Sequence, residues 1–325
     1  MRESAALPRT HPHSHPLNDK NAALFAGQGA QAVGMARALA EAPPACRALF
    51  DRADAILGWS LSEAVFEGPV ERLTRTDVCQ PAIFVASAAA WTAFRELAPA
   101  VPFAAMAGLS LGEWTALWAA GAVSFDDAVR ILAARGRLMQ EACDAAPSGM
   151  VSILKLDPAA CEAIAAETGC AVTNYNAAAQ TVLGGTHEQV AAAAAAASAK
   201  GGRAVVLKTA GAYHSPFMAP AAEGLTPVLA AAQIKAPAVP VLSNYTGRPH
   251  GGPDEIRAAM LAQIAHPVRW TEDTAAMTAL GVGTFVEFGP GAVLTGMLRR
   301  ALPEARLFNA NAAASVEAAA AALAG

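Results

Sequence analysis

The chain is poor in charge and in aromatic rings. Only 15% of its 325 residues are Asp, Glu, Lys or Arg and 6% are aromatic, against 54% hydrophobic. That balance excludes a disordered chain and describes a well-buried globule, long enough for one large domain with an insertion or for two smaller ones. A net charge of −4, with no basic run interleaved with aromatics, gives no general attraction for nucleic acid. A membrane span is missing too: the charge-free stretch Val78 to Phe94 is rich in alanine and includes Gln80 and Ser87, so it reads as buried elements. The cysteines (Cys46, Cys79, Cys143, Cys161, Cys170) are odd in number, scattered, and form no Cys-x-x-Cys. They point to core thiols in a reducing compartment rather than to disulfides or zinc. No charged start followed by an apolar core marks a secretory signal, so the cytoplasm is the expected location.

What the chain does have is one pentapeptide in a telling context, Gly108-Leu109-Ser110-Leu111-Gly112. The apolar run Phe103 to Ala107 leads in as a short buried strand. Leu111, Trp114, Leu117 and Trp118 leave at helical spacing. Strand, Gly-x-Ser-x-Gly, helix is the context of a nucleophile elbow, in which a sharp turn exposes the serine at a helix N-terminus rich in free N–H groups. Ser110 is the working nucleophile.

Before that elbow, residues 1–20 alternate Pro8, Pro12 and Pro16 with His11, His13 and His15, and read as a solvated, disordered tail. A strand at Ala22 to Phe25 then runs into Gly27-Gln28-Gly29. With Ala32 these glycines formally satisfy a dinucleotide fingerprint, but that motif needs an acidic residue closing a second strand about twenty residues on. Here that region holds Pro43-Pro44 and a helix-like stretch around Asp51. The alternative is a turn that brings the Gln28 N–H close to a reacting centre. Gln80-Pro81 introduces an apolar helix from Ala82 to Phe94, and Phe125-Asp126-Asp127 opens another that runs to about Glu141.

From Met150 the rhythm becomes β-α-β-β-α-β: strands at Met150–Leu154, Ala171–Tyr175, Thr181–Leu183 and Ala204–Leu207, helices at Asp157–Ala166 and Glu188–Lys200. That is the ferredoxin-like order. The expected fold is therefore α/β, a large domain with a parallel core (21–145 and 211–325) carrying a small inserted subdomain (146–210). Val239–Leu242 and Thr284–Phe288 read as further strands, and residues 311–325 as an alanine-rich helix.

A serine needs a base. Three histidines lie in the tail, His187 starts a helix, and His250 sits between Pro249 and two glycines. His214, in the irregular stretch Gly211 to Pro216, is the first candidate and His266 the second. No Asp or Glu between Ser110 and His214 ends a strand, and no His-Gly-Gly-Gly oxyanion motif appears, so a hydrolase triad lacks its third member. A Ser–His dyad with a neutral orienting group fits better. Arg135 stands inside the apolar stripe of its helix, whereas Arg130 and Arg137 share a solvated face. A buried guanidinium needs an anion; either a protein carboxylate such as Glu113 or a substrate carboxylate would serve.

These residues resemble the malonyl-CoA:acyl carrier protein transacylases of fatty acid synthesis and their polyketide relatives. The likeness runs from about Ala22 to the C-terminal helices, through Phe25-Ala26-Gly27-Gln28-Gly29, Gln80-Pro81-Ala82, the elbow with Glu113, Arg135-Gly136-Arg137, Asn174-Tyr175-Asn176, Tyr213-His214-Ser215-Pro216, Pro267-Val268-Arg269-Trp270 and Glu287-Phe288-Gly289-Pro290-Gly291. The resemblance implies a hydrolase-like α/β domain with a ferredoxin-like insertion. It implies that Ser110 is acylated, that His214 is its base, oriented by the Gln263 backbone carbonyl, and that the N–H groups of Gln28 and Leu111 form the oxyanion hole. Arg135 would bind the malonyl carboxylate, with Tyr213, Asn176 and Gln80 about the substrate. The implied partners are malonyl-CoA and a holo acyl carrier protein, which carries the phosphopantetheine, with no resident cofactor or metal; a monomer is the default expectation.

Three positions depart from the family's pattern. Leu109 stands where His is common, and Ala26 and Ala30 replace Pro and Ser; Tyr213, by contrast, resembles the bulky aromatic of malonyl-selective relatives. An acyl hydrolase using the same dyad and a polyketide-dedicated acyltransferase are the rival readings. Lys155, Lys200, Arg203, Lys208, Arg299 and Arg300 are candidate contacts for an acidic carrier.

Overall fold

The computed structural model describes residues 19–41 and 43–324; the histidine-bearing tail lies outside the described residues. The tail reading extends one residue too far, because Lys20 already belongs to a strand and its Nζ donates to the Leu280 carbonyl at 2.9 Å. In chain order the strands are β1 (Lys20–Phe25), β2 (Ala105–Gly108), β3 (Gly149–Leu154), β4 (Ala171–Ala177) and β5 (Gln180–Gly185). They continue with β6 (Arg203–Val206), the two-residue pair β7 (Leu242–Ser243) and β8 (Arg248–Pro249), then β9 (Val282–Phe288) and β10 (Arg306–Ala310).

A parallel sheet in the order β10-β9-β1-β2 forms the heart of the large domain. A parallel sheet is covered on both faces, which is why Ala22 to Phe25 and all of β9 are buried without polar–apolar alternation. On one face, Phe25 and Phe288 stack at 5.8 Å and Trp91 and Phe94 of the helix Thr76–Leu97 meet Phe288 edge-on at 5.1 and 5.2 Å. That helix begins six residues earlier than the sequence suggests. Pro81 lies within it, where its missing N–H removes one backbone bond and the buried packing on either side holds the helix together.

Residues 149–206 make the second sheet, all antiparallel, in the order β4-β5-β3-β6. The helices Pro158–Thr168 and His187–Ala199 cover one face of it, capped by Asp157 and by a Thr186–Gln189 capping box. Element order and pairing are those of the ferredoxin-like fold. Val268 stitches this sheet to the large domain: its N–H donates to the Thr173 carbonyl (2.9 Å) and its carbonyl accepts from the Tyr175 N–H (2.8 Å).

The strand expected at Val239–Leu242 is shorter than read. Val241 makes only a bridge to Met106 beside β2, and β7 then turns back through β8 as a hairpin. The sequence reading missed β10, which occupies the sheet edge.

At the end of β9, buried Glu287 accepts from the Leu294 and Thr295 N–H groups (3.0 and 2.8 Å) and from the Thr295 hydroxyl (2.7 Å). It thereby caps the helix Val293–Ala301. Glu287→Ala strands these donors in the core. Urea titration should show a loss of about 3 kcal/mol in unfolding free energy, with Glu287→Gln losing less.

Candidate active site

The elbow is a point of backbone strain. Ser110 sits at φ 55° and ψ −106° between β2 and the helix Leu111–Ala119, a conformation that costs about 1–3 kcal/mol and persists only where its surroundings enforce it. Glycine is required on either side because strand and helix meet at backbone distance: a Cβ on Gly108 would run into the Gly112 carbonyl, and one on Gly112 into the Phe25 carbonyl. From below, the Asn244 side chain clamps the turn at two points. Its Oδ1 accepts from the Ser110 N–H at 2.6 Å and its Nδ2 donates to the Gly108 carbonyl at 2.9 Å. Nδ2 also donates to Asp273 Oδ2 at 2.8 Å; burial first, then nearby Glu113, holds the Asp273 carboxyl well above the usual carboxylate range.

His214, at φ 58°, points Nε2 at Ser110 Oγ, 2.8 Å away. Its Nδ1 lies 2.7 Å from the Gln263 backbone carbonyl. A carbonyl only accepts, so Nδ1 carries the hydrogen and Nε2 is left with the lone pair that a serine proton needs. Burial, and secondarily the Arg135 charge, lower the imidazole to about 4 against the opposing pull of the Gln263 carbonyl. At neutral pH the base is uncharged and ready.

Arg135 projects from the helix Phe125–Ala145, whose start is capped by Ser124. It is 1% exposed. Nη1 donates to Gln80 Oε1 (2.7 Å), and Nη2 to Gln263 Oε1 (2.9 Å) and Ser110 Oγ (3.0 Å). Among the described residues Nε has no partner, and every acceptor the guanidinium meets is neutral. Burial lowers its pKa to about 10, partly opposed by Glu113, so it remains a cation at neutral pH. Of the two partners open in the sequence, Glu113 is therefore not in direct contact: the Gln263 amide stands between them, with Nε2 2.6 Å from Glu113 Oε2. A buried cation with only neutral acceptors around it has its charge left to offer to an anion.

Above Ser110 opens a cleft of about 920 Å³ whose walls come from both sheets, Gln28, Ser110 and His214 on one side, Ser152, Asn176 and Val182 on the other. The Gln28 and Leu111 N–H groups have no partner among the described residues; Leu111 opens its helix, where an N–H is intrinsically unpaired. The Tyr213 hydroxyl lies 2.6 Å from Thr76 Oγ1 and accepts from Gln28 Nε2 at 3.2 Å, pinning the ring against the cleft; burial pushes the phenol up to about 12.

A family model described as the acyl transferase domain matches residues 23–324. The chain belongs to the acyl transferase domain family. This acyl transferase is 40% identical to the malonyl CoA-acyl carrier protein transacylase of Bacillus subtilis, with 86% of the chain and 90% of that protein covered. It is 41% identical to the polyketide biosynthesis protein ThaF of Burkholderia thailandensis over 87% of its own length, but spans only 24% of that protein. A solved malonyl-transacylase in complex with its holo type II PKS acyl-carrier protein superposes with a TM-score of 0.88 at 36% identity, covering 94% of this chain and all of that one.

In this acyl transferase the structure brings Ser110, His214, Gln263, Arg135, Gln28, Leu111 and Tyr213 together, and Asn176 lies on the cleft wall. Gln80 is different. Like Arg135 it is buried and absent from the cleft wall, and the contact the structure gives it is with the arginine, whose Nη1 donates to its Oε1. His266, the second candidate base, is elsewhere: its Nδ1 pairs with the Ala262 carbonyl at 2.7 Å on the exposed end of a helix, and its ring meets Tyr245. Sequence reasoning missed Asn244, Thr76 and His250. His250 looked like a loop residue, yet its side chain is 1% exposed and its Nε2 lies 2.6 Å from Glu113 Oε1.

Proposed function

We propose that the chain transfers the malonyl group of malonyl-CoA to the phosphopantetheine thiol of an acyl carrier protein through a malonyl ester of Ser110. The observation that carries this reading is the position of Ser110 Oγ, 2.8 Å from a neutral imidazole nitrogen and 3.0 Å from a buried, carboxylate-free guanidinium. The names of the relatives support it in the same sense: they are malonyl transacylases, one of them bound to its carrier protein.

Ser110 Oγ attacks the thioester carbon as His214 Nε2 takes its proton. The tetrahedral oxyanion rests on the Gln28 and Leu111 N–H groups, each worth about 3–4 kcal/mol in acyl transfer. As the carbon–sulfur bond breaks, the imidazolium returns the proton to the CoA thiolate. The carrier's thiol then runs the same steps in reverse order, giving a ping-pong exchange. Arg135 takes the malonyl carboxylate bidentately, and Tyr213, held by Thr76 and Gln28, limits the bulk of the acyl chain. Lys208 lines the cleft and Arg300 reaches Gln180 on its wall, which suits an acidic carrier at the mouth. This reading places the enzyme in the cytoplasm as a monomer without a resident cofactor, its five cysteines buried and unpaired.

A polyketide carrier as partner is the second reading, favoured by the similarity to ThaF; the chemistry is identical. Intact-protein mass after brief mixing with malonyl-CoA should show one malonyl adduct, absent in Ser110→Ala and discharged by holo carrier protein. An adduct released to water as fast without carrier would make the protein a hydrolase instead.

A further inference from the structure

Beneath the elbow lies a polar layer that touches neither the cleft nor any reacting atom. Its hub is Glu113, fully buried on the first turn of the elbow helix. Glu113 Oε2 accepts from Gln263 Nε2 (2.6 Å) and from the Asn244 N–H (3.1 Å), and Oε1 meets His250 Nε2 at 2.6 Å. The β7–β8 hairpin delivers two of these partners, Asn244 just after β7 and His250 just after β8. On the other side of Gln263, Oε1 accepts from Arg135 Nη2. A carboxylate accepts and a guanidinium donates, so the amide between them has one permitted sense: NH₂ toward Glu113, oxygen toward Arg135.

We propose that His250 is a positioning residue for the acyl site, acting through Glu113 and the Gln263 side chain to fix where Arg135 offers its guanidinium. Among the described residues His250 is the sole donor to Glu113 Oε1. Without it, Oε1 of the buried carboxylate has no donor and the carboxylate can rotate about the bonds to Oε2, loosening one of the two acceptors, Glu113 Oε2 and the Ser110 carbonyl (3.0 Å), that hold the Gln263 NH₂. A Gln263 side chain held by the Ser110 carbonyl alone can shift its Oε1, and with it the guanidinium that donates to that oxygen. Because the Gln263 main chain also orients His214, the whole cost does not fall on one step. Of the two catalytic-site side chains that Gln263 holds, His214 rests on its main chain and Arg135 on its side chain, so the signature is a loss of acyl selectivity beyond any loss of rate.

The inference rests on the reading that Arg135 receives the malonyl carboxylate. The experiment compares single-turnover acylation of Ser110 by malonyl-CoA and by acetyl-CoA, by intact mass, in the wild type, Arg135→Ala, His250→Leu and His250→Gln. Glutamine places its Nε2 where the imidazole Nε2 stands and can donate the same bond. His250→Leu should lower the malonyl-to-acetyl rate ratio by about tenfold, the scale of one buried group left unsatisfied, and His250→Gln should restore it to within about threefold of the wild type. Thermal melting of each variant reports folding; if His250→Leu does not fold, His250→Asn, whose amide ends short of Oε1, takes its place. A wild type that shows no preference for malonyl, or an Arg135→Ala that keeps it, overturns the reading of Arg135 itself. A wild type that discriminates and an Arg135→Ala that does not, with the ratio unmoved in a folded His250→Leu, overturns the role of His250 alone.

Discussion

Replacing His214 by alanine is expected to slow malonylation of Ser110 by about 10⁴- to 10⁶-fold, the range seen when the base of a serine nucleophile is removed. The residual rate comes from the oxyanion N–H groups and from binding, which the substitution leaves in place. The pH profile is the finer test. An isolated imidazole titrates near 6.5, but burial and the adjacent Arg135 cation hold His214 at about 4. Protonation removes the lone pair at Nε2, so activity falls as pH drops through the folded-state value. The acid limb of the single-turnover rate should therefore lie near pH 4, and remain flat from pH 5 to 8. Arg135→Ala removes a cation next to the ring and makes protonation easier, so its acid limb should move to higher pH. Stopped-flow pH jumps from neutral buffer, read before the protein unfolds, separate this titration from acid denaturation. An acid limb near 6.5 in the wild type would contradict the buried, cation-flanked imidazole.

Arg135→Ala should have the second largest effect, and it should be selective. Wild-type enzyme offers acetyl-CoA a guanidinium with no anion to meet it, a penalty of about 3–5 kcal/mol for a buried unpaired charge, or roughly two to four orders of magnitude in rate. Without the arginine, malonylation should fall by a factor of that order while acetylation holds or rises, because the empty site no longer penalises an apolar acyl group. Arg135→Lys should recover only part of the loss, since a single ammonium cannot replace the forked pair of N–H groups that a carboxylate engages. A hydrolase with no use for the carboxylate would show equal, small changes for both donors.

Much of this site is legible in the sequence because its chemistry is tied to short, local patterns. The Gly-x-Ser-x-Gly between an apolar run and a helical stripe places Ser110, and Arg135 betrays itself as a charge on an apolar helix face. Ferredoxin-like element order is readable for the same reason, since each of its strands is bounded by turn residues or a capping signal such as Asp157 or Thr186. What was not legible depends on long-range meetings. Asn244 meets Ser110 across 134 positions and His250 meets Glu113 across 137; nothing near either residue marks it as buried. β10 was missed because a five-residue edge strand that begins at Arg306 and runs into a polar turn carries no periodic signal of its own. Gln80 belongs to a recognisable tripeptide, but only the fold reveals that its Oε1 holds the arginine.

The stitch between the two sheets has a mechanical consequence. Val268 holds β4 with two backbone hydrogen bonds, and it lies five residues after Gln263, the residue whose carbonyl aligns His214. The small sheet is thus a fixed jaw. Any outward swing of that wall would have to break backbone bonds or drag the segment that aims the imidazole. A long flexible arm entering from the carrier must thread a gap of set width, and a wall forced open would misalign the base and stall the transfer in the same movement.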